Sequence, residues 1–213
     1  MELKELTPSL CRNIRKDGSH IDLLIASKAI IDNNKRFVID TFQDVTEMQK
    51  YKRLFEEAGK IAKLGGWQFD YTTKEEVWTK EIYQIFSLDP KSSKTGLSLI
   101  KNCFLSNGFE KLEAEICKLE SGEPYVIELE VKDFSGNEKW MKFTGQPVIE
   151  NGEVTEAFGS IQDVTDEKLR ELELEKNENR YRFLFENSPH PMLIYSKKDY
   201  SISEVNKAGC RSL

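Results

Sequence analysis

Gln162-Asp163-Val164-Thr165 ends a β-like run and opens a charged helical one, and the same four residues stand 119 positions earlier (162 − 43) as Gln43-Asp44-Val45-Thr46. Each copy runs into a second shared string, Leu54-Phe55-Glu56 after the first and Leu184-Phe185-Glu186 after the second. A tyrosine between basic residues precedes both strings, as Lys50-Tyr51-Lys52 and Arg180-Tyr181-Arg182. Recurrence of this kind marks a tandem array of one domain type joined by helices. A period near 119 residues suits a single domain. On this reading the 213-residue chain starts and stops inside a repeat.

The residues around the two copies divide by period. Residues 8 to 46 read as strands: Lys16-Asp17-Gly18-Ser19 is a hairpin signal, Ile21, Leu23 and Ile25 alternate, and Asn33-Asn34 turns the chain into Phe37-Val38-Ile39. From Thr46 the period becomes helical, with Met48, Tyr51, Phe55, Ala58 and Ala62 on one stripe. Thr46 and Gln49 fit a capping box, and Gly65-Gly66 is expected to stop the helix. Trp67-Gln68-Phe69-Asp70-Tyr71 then alternates as a strand, and Val77-Trp78 is a second. Thr79 is a cap candidate for a helix holding Ile82, Tyr83, Ile85 and Phe86, ending near Asp89-Pro90. Helices are expected over 97–105 and 109–120, the latter with Phe109, Leu112, Ile116 and Leu119 on one face. Tyr125, Ile127, Leu129 and Val131 alternate with Val126, Glu128, Glu130 and Lys132, the cleanest strand in the chain. Turns at Ser135-Gly136-Asn137 and Asn151-Gly152 give two more strands. Two strands, several helices and three antiparallel strands make an α+β domain with one sheet.

Gly65-Gly66-Trp67, Trp78-Thr79-Lys80-Glu81-Ile82-Tyr83 and Gly122-Glu123-Pro124-Tyr125 are followed by Ser135-Gly136-Asn137-Glu138-Lys139-Trp140. Gly145-Gln146-Pro147-Val148 and Gly159-Ser160-Ile161-Gln162-Asp163-Val164-Thr165 complete the set. Taken in order over about 60–168, these strings resemble a PAS domain of the kind found in bacterial and archaeal sensor kinases. The resemblance implies a PAS fold: a five-stranded antiparallel sheet with flanking helices, joined by long linker helices to partial PAS repeats. Residues 1–46 then read as the last strands of a first domain, 47–64 as a linker helix and 65–165 as a complete domain. Residues 166–187 read as a second linker helix and 188–213 as the start of a third domain. One departure stands out. The family's His-Pro-Glu-Asp-like stretch is absent, and Asn102-Cys103-Phe104-Leu105-Ser106-Asn107 takes its place.

The implied function is sensing and relay in a signal-transduction protein, with a sensor histidine kinase of a two-component system as parent. Trp67, Phe69, Ile127, Leu129, Met141 and Phe143 are the candidate ligand-pocket residues, facing a cavity between sheet and helices. Asp44, Thr46, Asp163 and Thr165 are the candidate relay residues. Asp163 is expected to latch sheet to helix by charge-assisted hydrogen bonds, and Thr165 to cap the helix with Asp166 and Glu167 at its positive end. The expected partners are neighbouring PAS and output kinase domains, a small-molecule ligand, and a second copy met through the linker helices. The stripe Tyr51, Phe55, Ala58 and Ala62, with Trp140 opposite Met141 and Phe143, offers the apolar surface for such a homodimer. The alternatives are a spacer and dimerisation module without ligand, or a flavin or haem sensor.

Other functions find little support in the residues. A net charge of −6, from 31 basic and 37 acidic residues, is no nucleic-acid footprint. There is no apolar run of membrane-spanning length and no signal peptide after Met1, so a cytoplasmic setting is expected, with a parent that can still be membrane-tethered. No catalytic centre is legible: His20 follows a turn and His190 stands between Pro189 and Pro191, unlike a phosphoacceptor on a helix. The cysteines Cys11, Cys103, Cys117 and Cys210 lack zinc spacing. Asn102-Cys103-Phe104-Leu105 is similar to the flavin-adduct motif of light-oxygen-voltage sensors, but the flavin-holding arginine, glutamine and asparagines are missing. Haem lacks an axial histidine between residues 21 and 189. Both cofactors are therefore disfavoured.

Overall fold

Asp17-Gly18 makes a tight turn early in the chain. In the computed structural model, which describes residues 4–5, 7–32, 35–89 and 95–212, Gly18 takes a φ of +84°, and the Arg15 amide donates to the Ser19 carbonyl at 2.7 Å. This hairpin belongs to the first of two units, Met1–Gly65 and Gly66–Leu213. In the first unit, β1 (Lys4–Glu5) and β2 (Ser9–Ile14) pair in succession along one edge of β3 (His20–Asp32). The other edge of β3 takes β4 (Lys35–Asp44), and α1 (Thr46–Ile61) follows. The turn expected at Asn33-Asn34 lies outside the described residues.

The second unit carries the sheet that matters for function. Its elements begin with β5 (Leu64–Asp70), β6 (Glu76–Trp78), α2 (Lys80–Ile85), α3 (Leu97–Ile100) and α4 (Gly108–Glu120). They continue with β7 (Tyr125–Lys132), β8 (Glu138–Glu150), β9 (Glu153–Asp163) and α5 (Thr165–Asn187). The strands form one antiparallel sheet in the order β6-β5-β9-β8-β7. The helices between β6 and β7 supply its apolar cover. Burial along β7 follows the expected period of two: Tyr125, Leu129 and Val131 are buried, while Val126, Glu128, Glu130 and Lys132 are exposed. Ile82 from α2 and Phe86 just after it, Ile100 from α3, and Leu112 and Leu119 from α4 close against Val131, Met141 and Phe143. Each such side chain contributes roughly 1.5–3 kcal/mol by leaving water.

Two glycines let the central strands carry this load. Gly145 on β8 and Gly159 on β9 are directly paired. A Cβ on Gly145 would stand 2.3 Å from the Tyr125 ring, and one on Gly159 would stand 1.9 Å from the Thr144 carbonyl and 2.7 Å from the Trp67 ring. Aromatic side chains thus lie directly on bare backbone.

Several boundaries differ from the sequence reading. Gly65-Gly66 does not stop α1: the helix is over at Ala62, Lys63 takes the left-handed turn at φ +49°, and both glycines lie within β5. α2 stops at Ile85 rather than near Asp89, because Ser87 turns left-handed at φ +58°; Pro90 lies outside the described residues. The helix expected over 97–105 is α3 followed by one 3-10 turn, Lys101–Cys103, after which Phe104 bridges to Val131. Thr46, Thr79 and Thr165 do not cap their helices. No side-chain cap bond is present at those helix starts, because each hydroxyl is held by a strand instead.

α5 is one unbroken helix of 23 residues, about 35 Å long at about 1.5 Å per residue. Leu169, Leu172, Leu174 and Phe183 along it are exposed. Beyond it, β10 (Leu193–Tyr195) and β11 (Ile202–Val205) form a hairpin followed by α6 (Lys207–Ser212). Asn206, fully buried, holds this end together. Its amide group donates to the Phe185 and His190 carbonyls, and its Oδ1 accepts from the Met192 and Gly209 amides, all within 3.0 Å.

Candidate functional site

Between sheet and helices lies a cavity of about 210 Å³. Alternation along β5 puts Trp67, Phe69 and Tyr71 on its wall, and hairpin pairing adds Trp78 opposite Trp67 and Glu76 opposite Phe69. Tyr125, Phe143 and Ile161 come from β7, β8 and β9, and α4 closes the far side with Leu112, Ile116 and Leu119. Of the six residues expected to line a pocket, Trp67, Phe69 and Phe143 do so. Leu129 and Met141 do not: they are buried in the packed core, and Ile127 packs against that core. The reason is position along the strand. Leu129 and Met141 are cross-strand partners lying two residues beyond Ile127 and Phe143, a shift of about 7 Å.

The polar chemistry of the wall is acidic. Glu76 accepts the Trp78 indole N–H at 2.6 Å. Burial pushes its carboxyl above the ordinary range, against the lowering effect of that bond and of the Leu97 amide. Glu120 stands at the exposed end of α4 on the same cavity. Burial raises the Tyr71 and Tyr125 phenols above their ordinary value, so both stay neutral donors near pH 7. Cys103 is buried in the core cluster rather than on the cavity wall. Its thiol is pushed up by burial and then by Asp133, the reverse of an activated thiolate.

The relay candidates form a compact junction at the C-terminal end of β9, just past the cavity wall. Asp163 Oδ1 accepts from the Thr165 amide at 3.0 Å and from its hydroxyl at 2.5 Å. The same hydroxyl accepts from the Trp140 amide at 3.0 Å, and the Val164 amide donates to the Trp140 carbonyl at 2.9 Å. Thr165 thus ties the first turn of α5 to β8, and Asp163 orients it. Lys168, one turn on, lies 5.3 Å from the centre of the Trp140 ring and pairs with Glu128 on β7 at 3.3 Å. The first copy repeats the arrangement. Asp44 Oδ1 accepts from the Thr46 amide at 3.0 Å and hydroxyl at 2.5 Å, and the hydroxyl accepts from the Asp22 amide at 3.0 Å. These bonds, with that of Arg15, hold Asp44 below the usual carboxylate range.

Cavity and junction are adjacent in register. Phe143 pairs with Ile161 on the cavity wall, and the next same-face pair is Met141 with Asp163.

A buried carboxylate away from the cavity was not singled out in the sequence. Asp133 opens the β7–β8 turn and accepts from the Asn137 amide and side chain, the Ser135 amide, the Ser87 hydroxyl and Lys139 Nζ at 2.8 Å. Burial raises its carboxyl, but the Lys139, Asn137 and Ser87 bonds outweigh that and hold it well below the ordinary range. Its partners Ser87 and, through Lys139, the Ile85 carbonyl fix the end of α2 to the sheet. The signal for it was Asp133 two residues before the predicted Ser135-Gly136 turn, a spacing at which aspartate commonly accepts turn amides.

An α+β domain with this five-stranded antiparallel sheet, its helices inserted between the second and third strands, is a PAS fold. Residues 68–166 belong to the PAS domain family. Among solved structures, the chain is similar to a sensory box histidine kinase/response regulator from Burkholderia thailandensis, at 23% identity over 61% of this chain and 98% of that one, with a TM-score of 0.50. It is also similar to the N-terminal domain of a diguanylate cyclase with PAS/PAC sensor from Marinobacter aquaeolei, at 16% identity over 49% and 98% and a TM-score of 0.44. A PAS domain from Colwellia psychrerythraea aligns at 15% identity over 55% and 98%, with a TM-score of 0.41. No curated protein matches the sequence. The 68–166 segment is a PAS domain, and among the described residues no helix is long and apolar enough to cross a membrane.

Proposed function

We propose that the chain is a sensing and relay segment of a multi-domain signalling protein. The domain over 65–165 takes a small ligand in the aromatic cavity and passes the resulting sheet movement through Asp163 and Thr165 into α5. One observation carries this reading: the cavity wall at Phe143 and Ile161 is the register neighbour of the Met141–Asp163 pair beside the latch. A ligand that displaces that wall has about 7 Å of strand to cross before it reaches the helix.

The rest of the chain takes its place around this unit. Residues 1–46 are the closing strands of a preceding PAS domain, 47–64 and 166–187 are linker helices, and 188–213 begin a third domain. Matching bonds support the repeat: Asp44 and Thr46 reproduce the geometry of Asp163 and Thr165. Asn206 likewise accepts from the Met192 amide as Thr79 accepts from that of Gly66. The output is a histidine kinase of a two-component phosphorelay in a cytoplasmic or membrane-tethered parent. The chain pairs with a second copy through its linker helices, a reading supported by the exposed Tyr51, Leu54 and Phe55 on α1.

A thermal-shift panel of small metabolites tests the ligand part, since a ligand at 100 times its Kd adds about 2.7 kcal/mol. Sedimentation tests the pairing. Absence of any stabilising compound favours a ligand-free spacer, and a monomer at high micromolar concentration removes the homodimer.

A further inference from the structure

The cavity's chemistry narrows what it can take, on the reading above that it is a ligand site. Six aromatic side chains line it: Trp67, Phe69, Tyr71, Trp78, Tyr125 and Phe143. Aromatic faces carry the negative part of the ring quadrupole. The charged groups have the same sign. Glu76 lies on the wall and Glu120 at its exposed margin, and no described lining residue is basic. Among the described residues no cation pairs with Glu76, whose carboxylate is held by the Trp78 indole and the Leu97 amide. Lys74 lies 5.6 Å from the Tyr71 ring centre, in a neighbouring cleft that shares Tyr71 and Glu120 with the cavity, and it does not line the cavity itself. After burial, the next influences raising the two phenols are Glu120 at Tyr71, and Tyr71, Glu115 and Glu76 at Tyr125. A carboxylate or phosphate ligand entering here meets two carboxylates and no described basic residue on the wall.

We propose that the cavity selects a small organic cation, an ammonium group whose charge is spread over methyl or methylene carbons. Such a cation fills an apolar box while its charge is met by aromatic faces and one carboxylate, the arrangement that recognises quaternary ammonium groups. A divalent metal fits poorly, because hard cations require about six oxygen ligands and the wall presents two carboxylates. Size sets the scale. A dry cavity of about 150 Å³ holds benzene, so about 210 Å³ takes a molecule modestly larger. It falls below the roughly 300 Å³ at which drug-sized sites begin.

The test compares choline and tetramethylammonium with 3,3-dimethyl-1-butanol, the uncharged isostere of choline, by calorimetry on the full 213-residue chain. The cations should bind about tenfold or more tightly than the isostere, the scale of a desolvated cation–aromatic contact. Glu76→Gln keeps an acceptor for the Trp78 indole and should erase most of that preference while leaving the isostere's affinity unchanged. Trp67→Leu should weaken the cations with little change in the isostere, with circular dichroism confirming that each variant is folded. Equal or tighter binding of the isostere overturns the cation inference and leaves the ligand site standing. A preference that survives both substitutions overturns it too, since the charge is then met elsewhere. If neither these compounds nor any member of the metabolite panel binds, the ligand reading itself fails.

Discussion

Thr165→Val removes one hydroxyl and keeps the side chain's shape, so it isolates the latch. Two bonds vanish: the donation to Asp163 at 2.5 Å and the acceptance from the Trp140 amide at 3.0 Å. A hydrogen bond to a charged group contributes about 1.5–3 kcal/mol, and an orphaned buried amide costs about 1–3 kcal/mol. Both groups are only half-buried, so water recovers part of each, and a net loss of about 2 kcal/mol is expected. For a chain of this length that is about 4–8 °C in Tm. Thr46→Val removes the equivalent bonds to Asp44 and the Asp22 amide and should cost less, about 1 kcal/mol, in the first unit, where Asp44 is exposed. Urea unfolding gives the loss, and amide exchange locates it, with the Trp140 amide losing protection. A loss under about 0.5 kcal/mol with Trp140 exchange unchanged would refute the claim that this hydroxyl ties helix to sheet.

Asp133→Asn should cost about 3 kcal/mol, because Lys139 then keeps a buried charge without its partner. The acid limb gives the sign. The folded Asp133 carboxyl is held below its unfolded value, so its stabilisation is complete above about pH 4 and is lost as pH falls further through the lowered value. Wild type should therefore lose stability more steeply than the variant below about pH 4, and parallel pH–stability curves would contradict this. Gly159→Ala should destabilise by about 1–3 kcal/mol or more, since the added carbon meets the Thr144 carbonyl and the Trp67 ring; thermal unfolding reads it. Deleting 11 residues from α5 turns the helix end by about three turns plus 20°, whereas deleting 9 leaves it about 180° out. Signalling by a parent protein should survive the first and fail with the second, and equal outcomes would remove the rotational coupling.

Periodicity carried most of the fold because burial and strand register share one period. Tyr125, Leu129 and Val131 were legible as inward-facing from alternation alone. The same period could not say where along the strand packed core gives way to cavity. Leu129 and Met141 share a face with Phe143, yet Ile82 from α2 and Phe86 just after it help to close the core around them. Tyr71 and Glu76 were within reach, as the next alternate position after Phe69 and its hairpin partner. Cap residues misled for a different reason. A threonine hydroxyl at a strand-to-helix junction has two competing amides, and at Thr46, Thr79 and Thr165 the neighbouring strand's amide won. Asp133 stayed hidden because its partners Ser87 and Lys139 are distant or unremarkable in sequence and meet only once the sheet and α2 pack.

The central claim is that the cavity communicates with α5 through the Asp163–Thr165 junction. Hydrogen–deuterium exchange, with and without a saturating compound from the thermal-shift panel, tests it most directly. Binding should change exchange at the Trp140, Val164 and Lys168 amides, whose bonds span β8 and the first turn of α5, and Thr165→Val should abolish that distal change while the cavity residues still respond. A response confined to β5, β7 and α4, with the junction amides unmoved, would contradict the account.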